Sequence, residues 1–295
     1  MSVGDGLLLV DKPAGITSHG VVARARRATG TKKIGHAGTL DPMATGLLVL
    51  GVNRATRLLT YLVGADKVYR ATIRLGQATV TDDAEGDITA EPGALGIDEA
   101  RVRSAVAAFT GPIMQVPSAV SAIRVDGQRA YARVRAGEAV ELAARPVTIH
   151  RFDVLATRAT QAAGDIAVLD VDVEVECSSG TYIRALARDL GTNVHSGGHL
   201  VALRRTRVGG FTVDEASGLA DLDQARLLDT TAVARRVFPG RDLTQVQTNE
   251  IRYGRRISAS DSQAVVAAYA PDGHLVALLA DRDNRAQPVL VLDPV

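Results

Sequence analysis

The chain has 295 residues, 46% of them hydrophobic, enough to bury a sizeable core and to suggest one large domain with a smaller one. A formal net charge of +1 supplies no global field for a polyanion, so any nucleic-acid surface has to come from segregated basic runs. The single cysteine, Cys177, excludes an internal disulfide and a cysteine zinc site, and with no apolar run of membrane-spanning length and no secretory leader pattern a soluble cytoplasmic protein is expected.

In chain order, residues 6–10 read as a short buried strand ending at Asp11-Lys12-Pro13. Ser18 is placed to cap a helix running to Thr29, with Gly30 as its stop. A glycine-rich loop around Asp41 follows, then an apolar strand at 47–50 and a helix from Asn53 to about Gly64. Residues 67–76 alternate, with Tyr69, Ala71, Ile73 and Leu75 on one face and Arg70, Thr72 and Arg74 on the other. An acidic loop leads to a helix over 98–110, where Val102, Val106 and Phe109 fall at helical spacing and Gly111-Pro112 ends the run. Residues 115–146 contain the hairpin signal Asp126-Gly127 and an arginine-rich stretch around Tyr131, and read as a projecting basic insertion.

Residues 170–176 alternate strictly, with valines expected to face a core and acids to face solvent. Residues 181–190 read as a helix whose apolar side carries Ile183, Leu186, Ala187 and Leu190. Residues 221–239 look helical and linking, and from about 243 short strands alternate with turns such as Pro271-Asp272-Gly273. Strands and helices mix without a regular βαβ repeat, which predicts an α+β fold with a mostly antiparallel sheet and a β-rich C-terminal part.

Charge segregates along the chain. Arg24, Arg26, Arg27, Lys32 and Lys33 form one basic run, Arg124, Arg129, Arg133 and Arg135 a second, and Arg204, Arg205 and Arg207 a third. Acid collects at 82–85 and 170–176. Three separate basic runs favour a phosphate-facing surface.

The segment with most chemical content is Gly35-His36-Ala37-Gly38-Thr39-Leu40-Asp41-Pro42-Met43-Ala44-Thr45-Gly46. Pro42 biases Asp41 toward an extended or turn conformation, and the glycines permit close backbone approach. A carboxylate held on such a loop is suited to act as a nucleophile or a base. This segment, with Lys67-Val68-Tyr69-Arg70-Ala71, Cys177-Ser178-Ser179-Gly180-Thr181-Tyr182-Ile183-Arg184 and Leu200-Val201-Ala202-Leu203-Arg204-Arg205-Thr206, resembles in order the motifs of the TruB family, the bacterial tRNA pseudouridine-55 synthases. The resemblance covers most of the chain.

That resemblance implies a pseudouridine synthase fold, with a catalytic domain at 1–235, a thumb-like RNA-gripping insertion at 115–146 and a PUA-like RNA-binding domain at 236–295. Asp41 would be the catalytic carboxylate, either attacking C1′ or taking a proton from C2′. Tyr69 would stack on the flipped uracil, Tyr182 and Leu203 would bound the base pocket, and Arg184 would pair with Asp41 and orient it. His36 would contact the RNA where the target nucleotide leaves its stack, and Arg204 and Arg205 would meet the RNA backbone. Ser179 stands where many members carry lysine, so the resemblance does not carry over the phosphate contact that such a lysine could make, while the pocket is unaffected.

The implied reaction breaks N1–C1′ and forms C5–C1′ on the same atoms, so no cofactor and no metal is called for. The expected partner is the T-arm stem-loop of tRNA, with no membrane, no obligatory protein partner and a monomeric state. Two other readings are a tRNA-folding factor that binds without depending on catalysis, and a guide-RNA-dependent synthase. The long insertion favours the stand-alone enzyme. His195 and His199 are separated by Gly197-Gly198 and lack a helical zinc pattern, and Cys177 has no activating base in view and reads as core.

Overall fold

A computed structural model describes residues 4–118 and 142–294, together with the backbone of 124–125 and 128–129. Most of the predicted 115–146 insertion, and with it the side chains of the second basic run, therefore lies outside the described residues.

The N-terminal half is organised by β1 (Gly6–Lys12) and β3 (Thr45–Val52), which pair antiparallel, with the helix α1 (Ser18–Thr29) and the short strand β2 (Ile34–His36) between them in the chain. The middle of each strand, 7–10 and 47–50, is an unbroken apolar run because both faces are covered. Leu8, Val10, Leu48 and Leu50 pack with Val21, Val22 and Ala25 of α1. Leu7, Leu9, Leu47 and Val49 pack on the other side. Thr17, not Ser18, caps α1, accepting the Gly20 N–H at 3.0 Å, and Gly30 ends the helix in the left-handed conformation. Asn53 starts a 3₁₀ turn, Asn53–Leu58, rather than a capped α-helix; the α-helical part is the single turn α2 (Leu59–Val63).

The sheet continues through β4 (Lys67–Leu75), and after α3 (Glu99–Ala107) through β5 (Gly111–Gln115), β6 (Arg145–Gln161), β7 (Ala167–Cys177) and, after the helix α4 (Ile183–Asn193), β8 (Gly198–Val208). The order is β1-β3-β8-β4-β7-β6-β5, with Ser217–Gly218 beyond β1. Along this path all neighbours are antiparallel except β3 with β8 and Ser217–Gly218 with β1. The α+β expectation with a mostly antiparallel sheet therefore holds. Asp98 caps α3 through the Arg101 N–H, and α3 and α4 lay Val102, Val106, Ile183, Leu186 and Leu190 on the apolar face made by Tyr69, Ala71, Ile73, Val171, Val173 and Val175.

The opposite face corrects one expectation. The acids of β7 do not simply face water. Asp170 pairs with Arg74 at 2.7 Å, Glu174 with Arg70 at 3.0 Å and Arg151 at 2.6 Å, Glu176 with Arg207 at 2.5 Å, and Asp172 with Arg158. Arg74 and Arg70 on β4 lie directly opposite Asp170 and Glu174, Arg151 and Arg158 reach their acids diagonally from β6, and Arg207 reaches Glu176 across β4 from β8, because residues in register across an antiparallel sheet share a face. Arg151 and Arg70 hold the Glu174 carboxyl below the usual range.

The one parallel contact inside the sheet places the start of β3 against β8, with Gly46 opposite Arg205. Gly46 has φ +99°, and a Cβ there would lie 2.2 Å from the Arg205 carbonyl oxygen. Gly46→Ala is expected to cost about 3 kcal/mol or more, since strain and backbone overlap add. The urea midpoint measures it; a midpoint like that of the parent chain would show that this junction yields freely.

The C-terminal part is a second, five-stranded sheet in the order β9 (Gly240–Asp242), β11 (Val266–Tyr269), β12 (Leu275–Arg282), β13 (Arg285–Val291), β10 (Ile257–Ser258). Two helices, α5 (Thr230–Val237) and α6 (Gln245–Arg252), belong to this region. Only α5 of the predicted helical link at 221–239 is α-helical; Leu228–Asp229 is a strand against β1. Ala267, Tyr269, Leu275, Leu278, Leu290 and Leu292 share one apolar cluster with Leu7, Leu9, Leu47 and Val49. Arg54 and Arg57 donate to the Leu292 and Val291 carbonyls at 2.8 and 3.1 Å, so they join the two sheets. No helix among the described residues is long and apolar enough to cross a membrane.

Candidate active site

The Asp41 loop connects β2 to β3, and three side chains far away in sequence fix its backbone. Lys12 is fully buried and its ammonium donates to the carbonyls of Pro13, Ile16 and Pro42 at 2.9, 2.8 and 3.1 Å. Burial pulls that ammonium below the ordinary lysine value, with Asp41 opposing. Ser18, freed from capping, accepts the Leu40 N–H at 2.9 Å and donates to the Leu40 carbonyl at 3.0 Å. Arg205 is 1% exposed and its guanidinium donates to Leu47, Thr39 and Gly38 carbonyls at 2.8, 3.3 and 3.1 Å. A buried cation costs several kcal/mol unless its donors are satisfied, and here the loop's own carbonyls satisfy them. Arg205 is thus an internal brace for the loop rather than a surface contact for RNA backbone. Arg204 is half-exposed and paired with Asp11 at 2.7 Å.

Asp41 ends up a third exposed in the lining of a cavity of about 280 Å³. Tyr69, Tyr182, Arg184 and Leu203 line the same cavity, as do Lys67 and Arg205. The structure therefore brings together five of the six site residues picked out in the sequence. The sixth, His36, lies outside the lining set at the end of β2, where its ring meets His19 edge-on with centroids 5.6 Å apart. Burial, with His19 adding to it, lowers the His36 imidazole below its ordinary value.

Arg184 lies in the first turn of α4, and its Nε is 3.1 Å from the Asp41 carboxylate. The other side of the same guanidinium donates to Asp83 Oδ2 at 3.1 Å and to the Thr81 carbonyl at 3.0 Å. A planar fork can serve two anions at fixed angles, which a lysine cannot do. Asp83 is 3% exposed and is itself held by the Thr81 hydroxyl at 2.5 Å and the Glu85 N–H at 3.1 Å. The acidic run at 82–85, read from sequence as set apart from the basic surface, is instead folded into this site. Its neighbour Asp82 meets Arg188 at 3.2 Å, and burial pushes the Asp82 carboxyl up.

The walls are apolar and aromatic. Tyr69 lies opposite Arg205 on β8 and Val175 on β7, so its ring stands between core and cavity. Burial raises its phenol above the ordinary value, with Arg205 opposing; burial also raises Tyr182. Lys67 donates to the Val63 and Ala65 carbonyls at 2.9 and 2.6 Å, and burial brings its pKa down to about 8. Ser179 donates to that same Val63 carbonyl at 2.7 Å. Cys177 is buried and its thiol is pushed up to about 11, consistent with a core residue. His199 is 5% exposed and bonds the Gln77 carbonyl at 3.1 Å, a structural role.

Sequence reasoning passed over Asp83 and Lys67, and took Arg205 for a surface group. No local signal identifies them. A buried charge declares itself only through the partners that folding brings to it: Arg184 for Asp83 and the Gly38 and Thr39 carbonyls for Arg205 lie more than 100 positions away, while Lys67 turns to the nearby Val63 and Ala65 carbonyls. Among the described residues no cluster of His, Cys, Asp and Glu has the geometry to hold a metal ion.

Comparison with known proteins points the same way. Residues 26–183 match the family model for the N-terminal domain of TruB family pseudouridylate synthases. Residues 184–241 match the tRNA pseudouridylate synthase B C-terminal domain, and 238–293 the C-terminal model of tRNA pseudouridine synthase II. A tRNA pseudouridine synthase B of Arthrobacter sp. (strain FB24) is 60% identical across 98% of this chain and 97% of its own length. The proteins of the same name from Mycobacterium sp. (strain KMS) and Thermobifida fusca (strain YX) are 55% and 53% identical, covering 99% and 98% of this chain and 97% and 99% of theirs. Among solved structures, a chain of a Cbf5-Nop10-Gar1 complex superposes with a TM-score of 0.70 over 98% of this chain and 85% of that one; at 22% identity it speaks for the fold alone. The chain belongs to the TruB family of pseudouridylate synthases.

Proposed function

We propose that the chain is a stand-alone tRNA pseudouridine synthase that isomerises uridine 55 in the T-loop. The observation that carries this reading is one carboxylate, Asp41, ion-paired to a buried arginine in a cavity also lined by two tyrosines and a leucine. Kinship with proteins named tRNA pseudouridine synthase B supports the substrate class.

In this reading the target nucleotide leaves the T-loop stack and enters the cavity, because C1′ and C5 cannot exchange places within a helix. Tyr69 stacks on the uracil, while Tyr182 and Leu203 bound it. Asp41 acts at the ribose, either on C1′ or on the C2′ proton, and Arg184 sets the carboxylate's direction. The glycosidic N1–C1′ bond breaks, the base turns, C5–C1′ forms, the C5 proton leaves and N1 takes up a proton. Substrate and product have the same atoms, so no cofactor, metal or co-reactant enters. His36 meets the RNA at the pocket's entrance.

Residues 1–235 are assigned as the catalytic domain, 115–146 as its RNA-gripping insertion and 236–295 as a PUA-like RNA-binding module. The enzyme works as a monomer, without a guide RNA or partner protein. Phosphate contacts make its affinity fall with salt.

The test is tritium release from C5-labelled uridine in a bare tRNA transcript. Release stoichiometric with one uridine is expected, and none from a transcript with cytidine at position 55. Equal release from both transcripts would move the target elsewhere, and release only after a guide RNA is added would favour the guide-dependent alternative.

A further inference from the structure

Gln115 is the last residue of β5, the strand from which the insertion departs, and it is 2% exposed. Its carboxamide faces a single residue 67 positions away. Oε1 accepts the Tyr182 N–H at 2.8 Å, and Nε2 donates to the Tyr182 carbonyl at 3.1 Å. One side chain thus does for Tyr182 what a neighbouring strand does for a paired residue. Tyr182 is the residue preceding α4, and its own side chain makes no capping bond. Its ring lines the cavity, and Arg184 follows two residues later.

The insertion's two roots meet α4 here. Arg145, opposite Gln115 in the β5–β6 pair, is close enough for its charge to act on the Tyr182 phenol. Arg188 of α4 donates to the Val116 carbonyl at 2.8 Å.

We propose that Gln115 is a positioning residue for the isomerisation, setting the place of the Tyr182 wall and locking it to the root of the insertion. The inference rests on the cavity being the nucleoside site. Two bonds to the N–H and carbonyl of one residue oppose both sliding and rotation of that residue. Without them the Tyr182 N–H has lost the acceptor that the buried Gln115 carboxamide supplies, and the strand-to-helix junction shifts to find another. The ring moves with the junction. RNA affinity, which comes from phosphates, is not the quantity such a shift changes.

The test measures kcat and KM on a T-arm stem-loop for Gln115→Met, Gln115→Asn, Tyr182→Ala and the Gln115→Met/Tyr182→Ala double variant. Asparagine is one methylene shorter and cannot span both atoms, so it decides the matter if the methionine variant does not fold. The expected result is a kcat lowered by about 100-fold, the scale of a 1 Å misplacement, with KM changed by less than about threefold. The double variant should turn over no more slowly than Tyr182→Ala alone, because the glutamine then has no ring to place. Unchanged kcat, a loss confined to KM, or losses that multiply in the double variant would overturn the inference. A parent chain with no tritium release would instead overturn the functional reading; a fully active parent with fully active Gln115 variants would sink this inference alone.

Discussion

Asp41→Asn is expected to abolish tritium release, with a loss on the order of 10⁴-fold or more, while leaving the fold and RNA binding intact. The scale is that of removing a group that acts directly at the reacting centre. Asparagine has the shape of aspartate and can still face Arg184, but it is neither a nucleophile toward C1′ nor a base toward C2′. The fold should tolerate the change because the loop is held by backbone carbonyls of Gly38, Thr39, Leu40 and Pro42 gripping Arg205, Ser18 and Lys12, not by the Asp41 side chain. Stem-loop binding within about threefold of the parent, alongside absent release, is the expected pair of measurements. Normal release by this variant would remove Asp41 from the mechanism; lost binding would make it an RNA contact instead.

Arg184→Ala should damage both stability and turnover. Arg184 is 7% exposed in its side chain and Asp83 3%, so the alanine variant leaves a buried carboxylate without its cation. Breaking a buried pair from one side costs about 3–5 kcal/mol. The same change frees Asp41 to rotate, and loss of aim at the ribose is worth about 100-fold or more in kcat. Arg184→Lys separates the two effects. A lysine restores a positive charge beside Asp83 but presents a point charge rather than a fork, so it cannot hold both carboxylates at set angles. Urea unfolding should therefore show partial recovery in the lysine variant, with turnover still low. Full recovery of turnover with lysine would mean that charge alone, and not the two-sided geometry, is what Asp41 needs.

How much of this was legible beforehand differs from element to element. The strand 67–75 was readable because period-two alternation reports which residues share a face. The Asp41 loop was readable from its glycines, its Asp-Pro pair and the TruB-like motif. The acids of β7 were half readable: alternation put them on one face, but the arginines that cover that face arrive from β4, β6 and β8, and strand order is not written in any local pattern. Ser18 reads as the cap because serine is the better cap residue of the adjacent pair, yet Leu40, 22 residues away, claims the serine hydroxyl and leaves Thr17 to cap.

What sequence alone determined is the set of chemical parts: a rigidly looped carboxylate, two tyrosines, an arginine in a helix's first turn, an α+β pattern and membership of a family. What the tertiary structure decided is which buried charges are partners. Asp83 reaches Arg184 across 101 positions, Arg205 reaches Thr39 across 166, and Gln115 reaches Tyr182 across 67. A buried ion or amide must find a counterpart or it destabilises the fold, yet that rule demands only that a partner exist. Which residue it is depends on how β3, β4, β8 and α4 come together, and that is settled by packing of the whole sheet rather than by any stretch of chain.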